Sequence, residues 1–260
     1  MVKLAANLSL MFTHLAFLDR INAAADAGFR GVEFMFPYEF SADEIAARAA
    51  RNGLEIVLFN LPAGDWERGQ RGIGALPDQI DECRRGAAWA LDYARRLGCR
   101  RLHLMAGKAP ADPRNRRTLV DNVAFAADLF APHGIDLLIE PINTRVDIPG
   151  YFYSTSEAAL SVLSEVGRPN TKLQYDIYHM QVMEGDLARN IERLLPEIGH
   201  IQLADNPGRA EPGTGEINYT WLLPHIDALG YSGWIGCEYR PAGDTAAGLG
   251  WAEPFLNQTG

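Results

Sequence analysis

Short apolar runs alternate with helix-like segments along the whole chain, and this alternation constrains the fold more than any other feature. The predicted strands are Lys3–Asn7, Gly31–Phe36, Glu55–Asn60, Arg101–Met105, Asp136–Glu140, Lys172–Asp176, His200–Ala204 and Trp234–Tyr239. The predicted helices are Ala16–Ala27, Ala42–Arg51, Gln79–Leu97, Leu119–Ala131, Ser156–Val166, Leu187–Leu195, Tyr219–Leu229 and Thr245–Pro254. Strands that alternate with helices of about 10–15 residues predict βαβ units and a parallel sheet.

Eight such units favour a closed (β/α)₈ TIM barrel. A chain of 260 residues is long enough for one barrel, and no change of composition marks a linker. We therefore predict a single TIM-barrel domain over residues 1–260. An open doubly wound sheet is the alternative, but no GxGxxG motif follows the first predicted strand. No nucleotide cofactor is expected.

Residues at the predicted helix ends agree with this arrangement. Ser41 precedes the second helix and Glu44 follows three residues later, which predicts a capping box. Gly53 then ends that helix. Glycines also follow other predicted helices directly before the next strand: Gly28, Gly98, Gly134, Gly167 and Gly230.

Four polar residues, Glu140, Asp176, Gln202 and Glu238, stand at or near the ends of the last four predicted strands. Buried strands rarely carry carboxylates without a partner. Because the C-terminal ends of all barrel strands meet on one face, we expect these side chains to form one oxygen-rich site. The same rule adds Asn7, Glu33 and Asn60 to that face. Three long predicted loops also leave from it: Leu61–Asp78, Pro141–Ser154 and Asp205–Ile217.

The residue types at these strand ends predict a metal site. Glu140, Asp176, Gln202 and Glu238 offer oxygen ligands, which suit Mg²⁺, or Mn²⁺ as an alternative, better than Zn²⁺. Such an ion polarises a carbonyl and its adjacent hydroxyl group, and the proton between them becomes acidic. Glu140 and Glu238 would act as an acid/base pair on opposite sides of the ion. The predicted chemistry is a 1,2-proton transfer through an enediolate, either an aldose–ketose isomerisation or a ketose epimerisation.

Further residues are candidates for substrate binding. His179 lies three residues after Asp176 and is expected to orient a substrate oxygen or a ligand carboxylate. The candidate anion-binding residues are Lys108 after strand 4, Arg71 in the strand-3 loop and Arg209 in the strand-7 loop. His103 and His200 lie inside strands and are expected to be core or supporting residues. The aromatic candidates for the pocket wall are Phe12, Phe36, Trp66 and Tyr178.

Composition excludes several classes of partner. The formal net charge is −9, so a nucleic acid is not expected as a partner. No run approaches the roughly 20 apolar residues of a membrane span, and no membrane association is expected. The three cysteines, Cys83, Cys99 and Cys237, show no paired spacing, which is typical of a reducing compartment. We therefore predict a cytoplasmic protein.

Several long segments resemble the hydroxypyruvate isomerase family. They are Phe59–Ile73, Glu140–Phe152, Gln174–Gln181, Gly199–Tyr219 and Gly233–Pro241. The resemblance implies a xylose-isomerase-like barrel that converts hydroxypyruvate, a small keto acid, to 2-hydroxy-3-oxopropanoate (tartronate semialdehyde). It assigns the proton-transfer roles to Glu140 and Glu238. It also implies self-association, as a homodimer or a homotetramer.

Alternatives within the same barrel remain open. A 2-oxo-tetronate isomerase would share the segments Phe130–Gly134 and Gly215–Tyr219, whereas DIYHMQ and ADNPGR resemble the hydroxypyruvate branch more closely. Related ketose 3-epimerases use a histidine as the third metal ligand, and Gln202 stands there in this chain, as in the isomerase branch.

Two other classes are less consistent with the sequence. A nuclease of the endonuclease IV type needs a histidine-rich zinc site and a basic face, whereas this acidic chain has six histidines, few of them at strand ends. A non-catalytic protein that binds sugar acids would not need both glutamates.

Overall fold

The computed structural model describes residues 1–256, and its strands close into a parallel barrel in chain order. The strands are β1 (Lys3–Asn7), β2 (Gly31–Phe34), β3 (Glu55–Asn60), β4 (Arg101–His103), β5 (Asp136–Ile139), β6 (Thr171–Asp176), β7 (Ile198–Leu203) and β8 (Trp234–Cys237). Each strand pairs with the next, and β8 closes onto β1 through Lys3 opposite Trp234. The predicted (β/α)₈ barrel is confirmed, and the extent of the domain over 1–260 stays a prediction.

Helices follow the strands around the outside of the barrel. They are α1 (Phe17–Asp26), α2 (Ala42–Arg51), α3 (Ile80–Leu97), α4 (Pro113–Phe130), α5 (Ser156–Val166), α6 (Ile177–Met183), α7 (Leu187–Leu194), α8 (Tyr219–Ala228) and α9 (Glu253–Leu256). Short 3₁₀ helices span Pro77–Gln79, Ala131–His133 and Ala247–Ala252. None of these described helices is long and apolar enough to cross a membrane.

The start of α4 differs from the prediction. The helix begins at Pro113 and not at Leu119, because the Asp112 side chain accepts a hydrogen bond from the backbone N–H of Asn115 at 2.9 Å. Proline at the first helical position is compatible with such a start, since its missing N–H has no partner there.

Two other predicted helix features are wrong. The predicted helix Thr245–Pro254 is a 3₁₀ helix, Ala247–Ala252, followed by the short α9, and Gly248 and Gly250 disfavour a regular helix there. The predicted capping box is also absent, because the Ser41 side chain makes no hydrogen bond to the start of α2.

The barrel interior contains an apolar part and a polar part. The apolar part is a small separate cluster from β1, β3, β5 and β8, namely Ala5, Val57, Leu58, Leu138 and Trp234. These strands lie on different sides of the barrel, so their shared cluster crosses its interior. The main hydrophobic core contains buried residues of both the strands and the surrounding helices.

The polar part is organised by a buried carboxylate, Glu33 of β2. His200 Nε2 lies 2.7 Å from Glu33 Oε2, and the amides of Asn7 and Gln202 donate to Glu33 Oε1 at 3.0 and 2.8 Å. A side chain at Gly236 of β8 would collide with this carboxylate, so glycine makes the space that Glu33 occupies. His200, which was expected to be a core or supporting residue, therefore contacts the carboxylate of Glu33.

We expect the Gly236→Ala substitution to destabilise the protein. The added methyl group displaces a carboxylate that is held on three sides, and overpacking of this kind costs about 1–3 kcal/mol in the free energy of unfolding. Urea denaturation followed by circular dichroism measures this change. Gly250→Ala is the matched control, because a methyl group there meets open space. Equal stability of the two variants would contradict this account of Glu33.

Candidate active site

A cavity of about 310 Å³ lies at the C-terminal ends of the barrel strands. Its polar lining includes Asn60, Arg71, Glu140, His179, Arg209 and Glu238. Of the polar strand-end residues named from the sequence, Asn60, Glu140 and Glu238 line this cavity. β5 and β8 end one residue earlier than Glu140 and Glu238, so both glutamates stand just beyond their strands.

Two carboxylates and a histidine lie close enough together to be considered as metal ligands. Each of Glu140, Asp176 and His179 offers one possible ligand atom, and these three atoms lie within 4.8 Å of one another. His179 Nε2 is 3.8 Å from Glu140 Oε1 and 3.7 Å from Asp176 Oδ2. Neither of these buried oxygens has a hydrogen-bond partner among residues 1–256. Buried oxygens without donors favour a cation between them, so the two carboxylates fit a divalent ion.

Asp176 uses its two oxygens for different purposes. Oδ1 accepts hydrogen bonds from the backbone N–H groups of Tyr178 and His179, at 2.7 and 3.2 Å, and so caps α6. Oδ2 has no such bond and faces the candidate metal position. The cap starts a helix that the sequence prediction missed, and it fixes His179 in the first turn of that helix.

Burial shifts the acid–base behaviour of the glutamates. Burial raises the pKa of Glu140 well above its usual range, the neighbouring Glu238 and Asp176 raise it further, and Arg209 opposes them. Burial likewise raises the pKa of Glu238 to about 8, with Arg209 opposing this effect. A carboxylate with a raised pKa is a stronger base when it is ionised. A bound cation would stabilise the ionised forms and lower both pKa values.

Arg209 brings a positive charge to this group of acids. Its guanidinium lies 2.8 Å from Asp147, 3.5 Å from Glu238 and 3.7 Å from Asp176. It also lies over the ring of Tyr178, 5.2 Å from the centroid. Burial acts to lower the pKa of Arg209, but the surrounding carboxylates outweigh burial and raise it. The arginine therefore stays charged and holds three carboxylates together.

The loop that carries Arg209, between β7 and α8, is organised by Asp205. This aspartate is almost completely buried, with 1% of its surface exposed. Its Oδ1 accepts from the backbone N–H groups of Asn206 and Ile217, at 2.9 and 3.0 Å. Its Oδ2 accepts from those of Gly213 and Gly215, both at 2.9 Å. One carboxylate thus holds both ends of the loop and sets the position of Arg209.

Arg71 enters the cavity from the β3–α3 loop. Its guanidinium lies 4.0 Å from the ring centroid of Trp66 and donates to the carbonyl oxygens of Trp66 and Gln70, at 2.9 and 2.7 Å. Trp66 itself lines the cavity and packs against Phe36. Of the other two aromatic candidates, Tyr178 lies beside Arg209, and Phe12 is buried.

Two of the predicted site residues, Lys108 and Gln202, are not among the residues that line the cavity of about 310 Å³. Lys108 is exposed, and its role in binding substrate stays a prediction. Gln202 lies beside a smaller polar space together with Glu140 and Glu238. Its Nε2 donates to Glu33, and its Oε1 accepts from Gln174 Nε2 at 2.7 Å. A metal-binding role for Gln202 stays a prediction.

Sequence reasoning missed three residues that belong to the site. Asn143 and Asp147 lie in the long β5–α5 loop and contact His179 and Arg209 respectively. Arg240 lines the cavity two residues after Glu238. The signal for Asn143 and Asp147 was their position in a long loop on the functional face. Their hydrogen bonds depend on how that loop folds back onto α6, which sequence spacing does not reveal.

Comparison with known proteins identifies the family. The family described as Xylose isomerase-like TIM barrel matches residues 21–255. The chain belongs to this family. The resemblance noted from the sequence is thereby confirmed.

Two relatives match this chain over their full length. A 2-oxo-tetronate isomerase from Cupriavidus necator is 51% identical, and the match covers 99% of this chain and 100% of the relative. A hydroxypyruvate isomerase from Escherichia coli is 48% identical, with 98% and 100% covered. Both are named as isomerases, in agreement with the enzyme class predicted from the sequence.

Solved structures agree with the fold. A structure from Brucella melitensis, described as an AP endonuclease of family 2, has a TM-score of 0.95 at 45% identity and covers 99% of this chain and 100% of its own. D-psicose 3-epimerase from Clostridium cellulolyticum H10 has a TM-score of 0.78 at 18% identity, with 99% and 100% covered. The second likeness concerns the fold alone.

We expect Asp205→Ala to destabilise the protein by at least about 3 kcal/mol, because it leaves four backbone N–H groups without their charged acceptor. Chemical denaturation measures the loss. Asp244→Ala is the control, since exposed Asp244 accepts one backbone hydrogen bond, from Ala247. A loss in Asp205→Ala no larger than in Asp244→Ala would mean that Asp205 does not organise the loop.

Proposed function

We propose that this protein is an isomerase that interconverts hydroxypyruvate and 2-hydroxy-3-oxopropanoate (tartronate semialdehyde) by proton transfer through an enediolate. The observation that carries the proposal is the pair of buried glutamates, Glu140 and Glu238, that face one cavity together with a candidate metal group. The relative from Escherichia coli with this named activity, at 48% identity, supports it.

The carboxylates of Glu140, Asp176 and Glu238 would hold the cofactor, which we propose is Mg²⁺, with Mn²⁺ as the alternative. Gln202 would be the fourth ligand, as the sequence predicts. When bound, the ion supplies Lewis-acid polarisation of the carbonyl and hydroxyl oxygens of the substrate. Hard oxygen ligands support this choice of ion over Zn²⁺.

The two glutamates divide the proton transfer between them. One carboxylate removes a proton from the carbon that bears the hydroxyl group, and a proton is returned to the neighbouring carbon with the other glutamate as the acid. The hydroxyl proton passes to the former carbonyl oxygen, so substrate and product have the same atoms. The raised pKa values of Glu140 and Glu238 support these roles, because a carboxylate with a raised pKa is a stronger base when it is ionised.

Arg71 is the proposed partner of the substrate carboxylate. Arg209 already faces three carboxylates, whereas Arg71 has no ion pair with an acidic side chain among residues 1–256. Its stacking on Trp66 holds the guanidinium at the cavity wall. A keto acid bound here would have its carboxylate at Arg71 and its reacting carbons between the two glutamates.

A 2-oxo-tetronate isomerase is the second candidate, and two observations favour it. The relative from Cupriavidus necator with this name is 51% identical. The cavity of about 310 Å³ also has room for a four-carbon acid. Both candidates use the same proton transfer and differ only in the length of the substrate. Self-association and a cytoplasmic location stay predictions from the sequence.

Proton NMR in D₂O tests the function directly. Purified protein with Mg²⁺ is mixed with hydroxypyruvate and, in parallel, with 2-oxo-tetronate. We expect tartronate semialdehyde to form from hydroxypyruvate, with deuterium at the carbon that received the proton. Conversion of the four-carbon acid alone would transfer the assignment to the second candidate. If neither acid reacts, the proposed function is wrong.

We expect Glu140→Gln and Glu238→Gln each to lower kcat by at least about 10²-fold, because glutamine cannot accept or deliver a proton in this step. Steady-state assays at saturating metal measure the change. Glu157→Gln, at an exposed position in the first turn of α5, is the matched control and should retain wild-type turnover. Near-normal turnover in either site variant would contradict the two-glutamate mechanism.

Metal affinity should rise with pH. The pKa values of Glu140 and Glu238 are raised, that of Glu238 to about 8, so protons compete with the cation for these carboxyl groups more strongly as the pH falls. Calorimetric titration with Mn²⁺ in buffers of different ionisation enthalpy should show net proton release on binding. Binding that is independent of pH and releases no protons would rule out these carboxylates as ligands.

A further inference from the structure

The side-chain amide of Asn143 has an orientation that is fixed from both ends. Its Oδ1 accepts hydrogen bonds from the backbone N–H groups of Val146 and Asp147, at 2.9 and 3.0 Å, and these groups can only donate. Its Nδ2 lies 2.6 Å from the carboxylate Oδ2 of Asp147, which needs a donor. Asn143 is completely buried, so water does not compete for these bonds. The amide nitrogen and oxygen therefore cannot exchange places.

The same Nδ2 also determines where His179 carries its proton. Nδ2 lies 2.8 Å from Nδ1 of His179, and an amide nitrogen can only donate. Nδ1 must therefore accept and carries no proton. A neutral imidazole with a bare Nδ1 has its proton on Nε2.

This tautomer is the opposite of the one that a metal ligand at Nε2 requires. A histidine that binds a metal through one ring nitrogen normally donates its other ring N–H to a carboxylate, a carbonyl oxygen or water. The partner of His179 Nδ1 is a donor, so the lone pair at Nε2 is occupied by a proton. The distances of 3.7 and 3.8 Å from Nε2 to Asp176 and Glu140 are also longer than good hydrogen bonds. The Nε2–H group of His179 is therefore available to donate a hydrogen bond to another acceptor at the centre of the site.

We propose that Asn143 holds His179 as the Nε2–H tautomer, so that His179 donates a hydrogen bond to a substrate oxygen and is not a metal ligand. The acceptor belongs to the class of carbonyl or enediolate oxygens, and this assignment of the acceptor rests on the proposed function. Negative charge develops on that oxygen during proton transfer, where a fixed donor stabilises it. Asn143 is a positioning residue, since it acts through His179. The ion is then left to the carboxylates and Gln202.

The tautomer can be read directly in metal-free protein without substrate. Protein labelled with ¹⁵N-histidine gives a long-range proton–nitrogen correlation in which a bare and a protonated ring nitrogen have different shifts. His179→Phe identifies the His179 signals by their loss. We expect a bare Nδ1 and a protonated Nε2. A proton on Nδ1 would overturn the proposal, whatever the activity of the protein.

A charge-conserving exchange tests the role of Asn143. In the double variant Asn143→Asp, Asp147→Asn, residue 143 presents a carboxylate oxygen to Nδ1, and residue 147 supplies the amide donor between them. We expect the His179 proton to transfer to Nδ1 and Mn²⁺ affinity to rise at least about tenfold, since Nε2 becomes free to bind. An unchanged tautomer in a folded double variant would show that Asn143 does not set it.

Mn²⁺ binding to single variants tests the ligand assignment without relying on the double variant. His179→Phe should keep its Mn²⁺ affinity within about threefold of wild type, whereas Asp176→Asn should lose at least about 100-fold. Calorimetry or Mn²⁺ electron paramagnetic resonance measures both. A comparable loss in His179→Phe would make His179 a ligand and contradict the proposal. None of these three experiments uses substrate. A failed isomerase assay would therefore not change their conclusions about the His179 tautomer and the metal ligands.

Discussion

The crowding of carboxylates around Arg209 at the mouth of the barrel is the constraint on which the surrounding structure depends. Buried charges are costly unless they are paired, and one guanidinium cannot satisfy all the oxygens of Glu140, Asp176 and Glu238. The unmatched oxygens Glu140 Oε1 and Asp176 Oδ2 face the same point. A divalent cation would balance this charge, so the candidate metal site and the proposed acid–base pair follow from one arrangement.

Much of the neighbouring structure holds these charged groups in place. Asp205 ties the ends of the loop that carries Arg209, and Asp176 caps α6 with one oxygen while the other faces the site. On the inner side, Glu33 is held by His200 and by the amide of Gln202. Rigid carboxylates suit a proton transfer between adjacent carbons, because a small displacement of either group from its carbon lowers the rate steeply.

The fold and the acidic centre could be predicted from the sequence for identifiable physical reasons. Parallel strands buried on both faces give continuous apolar runs, and barrel closure brings their C-terminal ends together, so Glu140, Asp176 and Glu238 could be grouped from spacing alone. His179 and Arg209 followed from their position just after two of these strands. The match of the xylose isomerase-like family over residues 21–255 agrees with that reasoning.

The features that escaped prediction depend on single hydrogen bonds or on tertiary contacts. The seven residues of α6 are too few for a periodic signal, and the helix starts because Asp176 caps it. The link from Asn143 to His179 depends on the β5–α5 loop returning to α6. Whether the exposed side chain of Lys108 reaches the cavity likewise depends on the path of the loop after β4, which spacing does not reveal.

In the proposed mechanism, each glutamate exchanges a proton with a different carbon of the same substrate. Solvent deuterium exchange in the single variants tests it most directly, with hydroxypyruvate and tartronate semialdehyde each incubated in D₂O with Glu140→Gln or Glu238→Gln at saturating Mg²⁺. We expect each variant to retain exchange at one carbon, the two variants to differ in which carbon exchanges, and neither variant to isomerise the substrate at an appreciable rate. Exchange at both carbons at the wild-type rate in either variant would contradict it.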